Sequence, residues 1–170
     1  MLNVNKVRPV LNLPRSGLEK ICEVVALAGL VVCLGLFVRY WPQLPETIPT
    51  HFNIAGKADD FGSKSVFVIF PVMASLMYLL ILVLSRFPHT YNYVWQITEA
   101  NAPVQYRLAR TLMAWAKACS IWLMAVLAWM TARTALGAVD PALPNTLLLS
   151  LGLAIVGGMA LYFVRAWQAR

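Results

Sequence analysis

Between Leu44 and Lys64 the sequence LPETIPTHFNIAGKADDFGSK sets a histidine, an amide and several carboxylates close together. Imidazole and carboxylate oxygens are the usual ligands of a divalent metal, so His51, Asp59 and Asp60 could hold one, with Glu46 or Asn53 assisting. A hydrolase built on such a metal would also need an open coordination position and a base. The spacing fits no zinc-enzyme motif, and neither a catalytic residue nor a cofactor is assigned. The same residues suit a second role. In an extended chain His51 and Asn53 share one side and Phe52 the other, and Gly56 permits a turn. His51, Asn53, Gly56, Asp59 and Lys64 would then shape a loop that caps the helix ends, with Lys64 paired to Asp59. Such a cap would serve recognition of a ligand or partner, since loops that hold a specific shape at a surface often do so to be recognised.

Two further ionisable residues, Glu23 and Lys117, interrupt long apolar runs. A charge inside a bilayer costs a few kcal/mol at the centre and less near an interface. Both lie in the half of the membrane nearer the N-terminus, so an ion pair joining two helices is expected. A transporter or channel component using this pair is the alternative reading, although the helices supply little other polar lining. Cys22, Cys33 and Cys119 sit in or beside apolar runs without C-x-x-C spacing and read as small core residues.

The elements that position these groups are membrane helices. Of 170 residues 60% are hydrophobic and only 12% charged, and the net charge is +7. A soluble domain carries roughly 25% charged residues. The basic residues flank apolar runs, which points to membrane orientation and away from nucleic acid. The expected fold is an all-α integral membrane protein with four transmembrane helices, at about 21–39, 65–85, 111–132 and 146–165, and a structured extracytoplasmic loop, 42–64, between helices 1 and 2. A polar N-terminal segment, 1–20, precedes this 21–164 membrane domain, and a short tail, 165–170, follows it. Arg39-Tyr40-Trp41-Pro42 after the first run offers no cleavage site, so that run reads as a retained helix and not a signal peptide.

Local signals refine the boundaries. Ser16 can cap a helix beginning near Gly17, with Glu19 at its favourable end. Ser63 can cap the second helix, and Pro71 falls in its first turns, where a missing donor costs least. Ser85 to Arg110, with its tyrosines and Trp95, reads as an interfacial or amphipathic connection. Asp140-Pro141 and Pro144-Asn145 form a tight turn. Trp115, Trp122 and Trp129 recur every seventh residue beside a stripe of Ala118, Ala125 and Ala132, a helix packing face. Gly152, Gly157 and Gly158 leave room for a close neighbour and keep a homo-oligomer open. Lys6, Arg8, Arg15, Lys20, Arg86, Arg107, Arg110, Arg165 and Arg170 fall on one side, against Arg39, Lys57, Lys64 and Arg133 on the other. Both termini are therefore expected in the cytoplasm.

The loop also resembles a known family, membrane proteins built on the domain of unknown function DUF1648. The shared pattern is approximately L-P-x-x-I-P-x-H-F-[ND]-x-x-G-x-x-D followed by an aromatic, a small residue and Lys. Leu44, Pro45, Ile48, Pro49, His51, Phe52, Asn53, Gly56, Asp59, Phe61, Gly62 and Lys64 occupy the matching positions. Asp60 stands where Gly is common, a strained choice if that position takes a positive φ. The best-known relatives are immunity proteins against the bacterial sporulation-delaying toxin, and they have further membrane helices. The resemblance implies a bacterial cytoplasmic (inner) membrane and a non-enzymatic binding, immunity-associated or signalling-associated role. The implied partners are the lipid bilayer and another envelope protein or peptide at the outer loop.

Overall fold

A computed structural model describes residues 8–138 and 142–170. Lys6 and Asp140-Pro141, used above for orientation and for a turn, lie outside the described residues. The chain forms α1 (Gly17–Tyr40), a single 3-10 turn, β1 (Thr47–Phe52), β2 (Ala58–Ser63), a second 3-10 turn (Lys64–Val68), α2 (Ile69–Leu84), α3 (Ala102–Ala135) and α4 (Ala142–Gln168). All four α-helical stretches are long and apolar enough to cross a membrane, counting with α2 the 3-10 turn that leads into it. The all-α membrane architecture is thus borne out, with one small antiparallel sheet inserted between α1 and α2.

Each helix start has a local cause. Ser16 and Glu19 form a capping box, in which the Glu19 amide donates to Ser16 Oγ at 3.1 Å and the Ser16 amide to Glu19 Oε2 at 2.5 Å. Two of the amides left over by the first turn of α1 are satisfied in this way. Ser63 Oγ accepts from the Ser65 amide and hydroxyl, so the chain enters the second span through 3-10 geometry before α2 proper. Pro71 is the third residue of α2, where no intrahelical donor is required.

The third helix departs most from expectation. It begins at Ala102, nine residues before the predicted 111, and absorbs about a third of the segment read as a connection. At 34 residues it is ~50 Å long, against roughly 30 Å of hydrocarbon. Its first turns are amphipathic: Ala102, Gln105, Tyr106, Ala109 and Arg110 are buried, while Val104 and Arg107 are exposed. Hydropathy misses this stretch because its buried face is partly polar. That face is covered at Gln105 by the end of α4, to whose Ala166 carbonyl the Gln105 side chain donates, and elsewhere by the N-terminal segment, which is not a loose tail. Leu11 and Leu13 pack with Tyr93, Ile97, Ala102 and Tyr106. Tyr106 donates to the Pro9 carbonyl, Arg110 to that of Leu13, and Arg8 to those of His89 and Tyr91. α4 likewise runs beyond the predicted 165, to Gln168.

α3 is the helix that α1, α2 and α4 share, and α4 rests chiefly on it. Ala118 and Ala125 are buried against Ala26, Cys33 and Ala74, so the alanine stripe is a packing face. Two of the tryptophans, Trp115 and Trp122, tie neighbouring helices to α3. Trp122 Nε1 donates to the Val25 carbonyl of α1 at 3.0 Å, and Trp115 Nε1 to the Ala154 carbonyl of α4 at 2.9 Å. Gly29 and Gly158 provide the clearance, since a Cβ at either would lie within 3 Å of an indole ring. All three cysteines are free and buried.

Candidate functional site

The exposed hairpin starts from a firm base. Leu44 and Ile48 are buried with Phe67 against Ala128 and Ala132 of α3. Lys64 closes the base from the other strand: its amide donates to the Glu46 carbonyl at 2.9 Å and its Nζ reaches Glu46 Oε1 at 3.0 Å. The same ammonium lies 5.5 Å from the centre of the Trp41 ring. The partner of Lys64 is therefore Glu46 and not the expected Asp59, because Lys64 follows β2 at the foot of the hairpin and Asp59 lies near its tip.

Along the ladder the pairing runs Thr47 with Ser63, Ile48 with Gly62 and Pro49 with Phe61, then jumps to His51 with Asp60 and returns at Phe52 with Ala58. Thr50 is an extra residue on β1 and Asp59 an extra residue on β2. Each is a bulge, and a bulge re-aims side chains that strict alternation would separate. The result is a clasp between His51 Nδ1 and Asp59 Oδ1, 2.5 Å apart and open to solvent, with His51 66% exposed. Simple alternation also fails earlier in β1, where consecutive residues Ile48 and Pro49 are both buried.

Asn53 is not beside His51 on a strand face. It ends the strand, and its Oδ1 accepts from the amides of Ala55 at 3.0 Å and Lys57 at 3.1 Å, forming an Asx-type turn. Gly56 completes the turn at φ +73°, and a Cβ there would lie 2.3 Å from Asn145 Nδ2 of α4. Ile54 is fully exposed at the tip and Phe61 is exposed on β2. Asp60 lies in β2 with no positive φ, since only Gly56 and Gly137 adopt one among the described residues. Asp replacing Gly there carries no backbone strain, and its carboxylate accepts from the Phe61 amide at 2.9 Å. His51, Asp59 and Asp60 do not assemble as three ligands: among the described residues no group of three His, Cys, Asp or Glu could hold a metal ion.

The intramembrane charges meet as the sequence suggests. Lys117, only 2% exposed, donates from Nζ to Glu23 Oε2 at 2.8 Å. Tyr78 of α2 donates to Glu23 Oε1 at 2.7 Å, and the Lys117 ammonium lies 4.7 Å from the Tyr78 ring centre. Arg15 stands 4.0 Å from the same carboxylate. Sequence reasoning missed a second ion pair beside this one. Arg110 Nε and Nη2 bind Glu19 Oε1 and Oε2 at 2.9 and 3.1 Å, with both side chains under 10% exposed. The signal was present in the Ser-x-x-Glu cap, which fixes the Glu19 carboxylate at the helix end where Arg110 arrives. A cavity of about 20 Å³ lies between the two pairs, room for one water. Outside the spans, burial pushes the Tyr91 phenol up to about 12, and that phenol donates to the Leu84 carbonyl.

The comparisons with known proteins fall on the hairpin and its flanking helices. Residues 28–74 match the family model of DUF1648, a domain of unknown function, which bears out the resemblance read from the loop. An uncharacterized protein of Archaeoglobus fulgidus is 40% identical over 50 residues, 29% of this chain and 27% of that protein. The chain thus aligns with about a quarter of the length of the curated relative it matches. Neither match carries a link to toxin-immunity proteins. No solved structure matches the chain.

Proposed function

We propose that this is a membrane-embedded binding protein, not an enzyme, which recognises another envelope protein or a peptide through the hairpin of β1 and β2. One observation carries the reading: the His51–Asp59 clasp is built by two bulges yet buries nothing. A contact that holds no core together, on a hairpin whose foot and turn are separately secured, is free to serve recognition. Ile54 and Phe61 flank it as exposed apolar anchors of the kind that interfaces enclose. An immunity-associated or signalling-associated role is the form of binding that the family resemblance suggests. The same resemblance supports a bacterial cytoplasmic membrane as the host. The basic residues gathered at the opposite end from the hairpin support an arrangement with both termini inside and the hairpin outside. Glu23 and Lys117 act here as a tie across α1, α2 and α3, not as a transport path.

The test is cross-linking in native membranes followed by affinity capture, with wild type, His51→Ala and Ile54→Asp compared at equal expression and equal melting temperature. A stoichiometric partner captured by wild type and lost with both variants supports recognition by the hairpin. A wild-type protein without a partner sinks the reading. A collapse of melting temperature in His51→Ala would make the clasp structural.

A further inference from the structure

α1 and α4 both pack on α3 but barely meet each other, which leaves a groove over α3 at the end of the bundle that carries Arg165. Leu18 of α1, Leu112 and Trp115 of α3, and Gly157 and Leu161 of α4 line it, and it encloses about 590 Å³. No carboxylate lines the groove, and Arg165 is its one charged residue. The Arg165 side chain is exposed and has no hydrogen bond or ion pair among the described residues. Glycine at 157 keeps the floor low, since a Cβ there would meet nothing within 4 Å.

We propose that this groove is a binding site for one anionic phospholipid, with an acyl chain along Trp115 and Gly157 and the phosphate on Arg165. The charge of Arg165 and the apolar lining choose this occupant. Apart from Thr111, Tyr162 and Arg165 the lining is apolar, a surface that an acyl chain matches better than water does. A free cation at the mouth of an apolar slot between membrane helices favours an anionic headgroup over a zwitterionic one. The Glu23–Lys117 region differs, because there Arg15, Arg110 and Lys117 each lie within 4.0 Å of a carboxylate.

Native mass spectrometry of the full chain, released from mixed micelles containing phosphatidylglycerol and phosphatidylcholine, tests this. Wild type should retain one phosphatidylglycerol in preference to phosphatidylcholine. Arg165→Gln should reduce that preference about fivefold, the effect of roughly one cation near a membrane surface. Gly157→Leu, whose side chain enters open space, should abolish the retained lipid of either kind. Arg133→Gln, which removes an exposed charge at the far end of α3, should change nothing. Equal retention of the two lipids, equal losses in Arg165→Gln and Arg133→Gln, or a lipid-free dimer occupying the groove would each overturn the proposal.

Discussion

Glu19 accepts both Nε and Nη2 of Arg110, 91 residues away, with the carboxylate that also closes the capping box on Ser16. One side chain therefore starts α1 and fastens it to α3. The fork of the guanidinium matches the two carboxylate oxygens, a geometry an ammonium could not reproduce. Arg110 in addition holds the N-terminal segment through the Leu13 carbonyl.

Removing one member of this pair leaves the other buried and uncompensated. Arg110→Met should destabilise the protein by about 3–5 kcal/mol, and Glu19→Gln/Arg110→Met should recover a substantial part of that loss. Denaturant unfolding in detergent micelles reads both, and Arg110→Lys should restore only a fraction. A loss below 1 kcal/mol in Arg110→Met would show that the contact is solvated and unimportant.

At the hairpin tip, Gly56→Ala should meet two penalties at once. Positive φ costs an L-residue about 1–2 kcal/mol, and the new methyl collides with Asn145. The Asn145→Ala background should remove the steric part and leave the conformational part. Thermal melting of the two single variants and the double variant separates the terms as a mutant cycle. Strict additivity would mean that the hairpin does not press on α4.

Alkaline pH should loosen the loop between α2 and α3. Burial raises the Tyr91 phenol to about 12 in the folded protein, while the unfolded chain ionises near 10. Above pH 10 the unfolded state loses its proton first, so the stability contributed by the neutral phenol is complete below pH 10 and fades as pH rises toward 12. Tyr91→Phe, which keeps the ring and cannot ionise, should flatten this decline in melting temperature. An unchanged alkaline slope would place the responsible group elsewhere.

The helices and the Glu23–Lys117 pair were legible in the sequence because long apolar runs and lone charges inside them are strong, local signals. Gly56 and Ser16 were equally plain, since each serves a local geometry. What hydropathy could not show was the first nine residues of α3, whose buried face mixes Gln105, Tyr106 and Arg110 with alanine. Nor could the pattern place His51 against Asp59, because alternation assumes an unbroken ladder and Thr50 and Asp59 each break it. Lys64 found Glu46 for the same reason: partners across a hairpin depend on register, and register is a non-local property.

The two breaks in that ladder cancel. One surplus residue on each strand confines the mismatch to the rows between Pro49 and Phe52, and both the foot and the turn of the hairpin keep the alignment of an ordinary two-stranded ribbon. What the middle rows display is thereby mechanically insulated from the helices the hairpin connects. Exchanging Thr50, His51 or Asp59 should therefore leave the register at the foot, where the hairpin joins α1 and α2, unchanged. The protein thus has a replaceable face on a fixed mount.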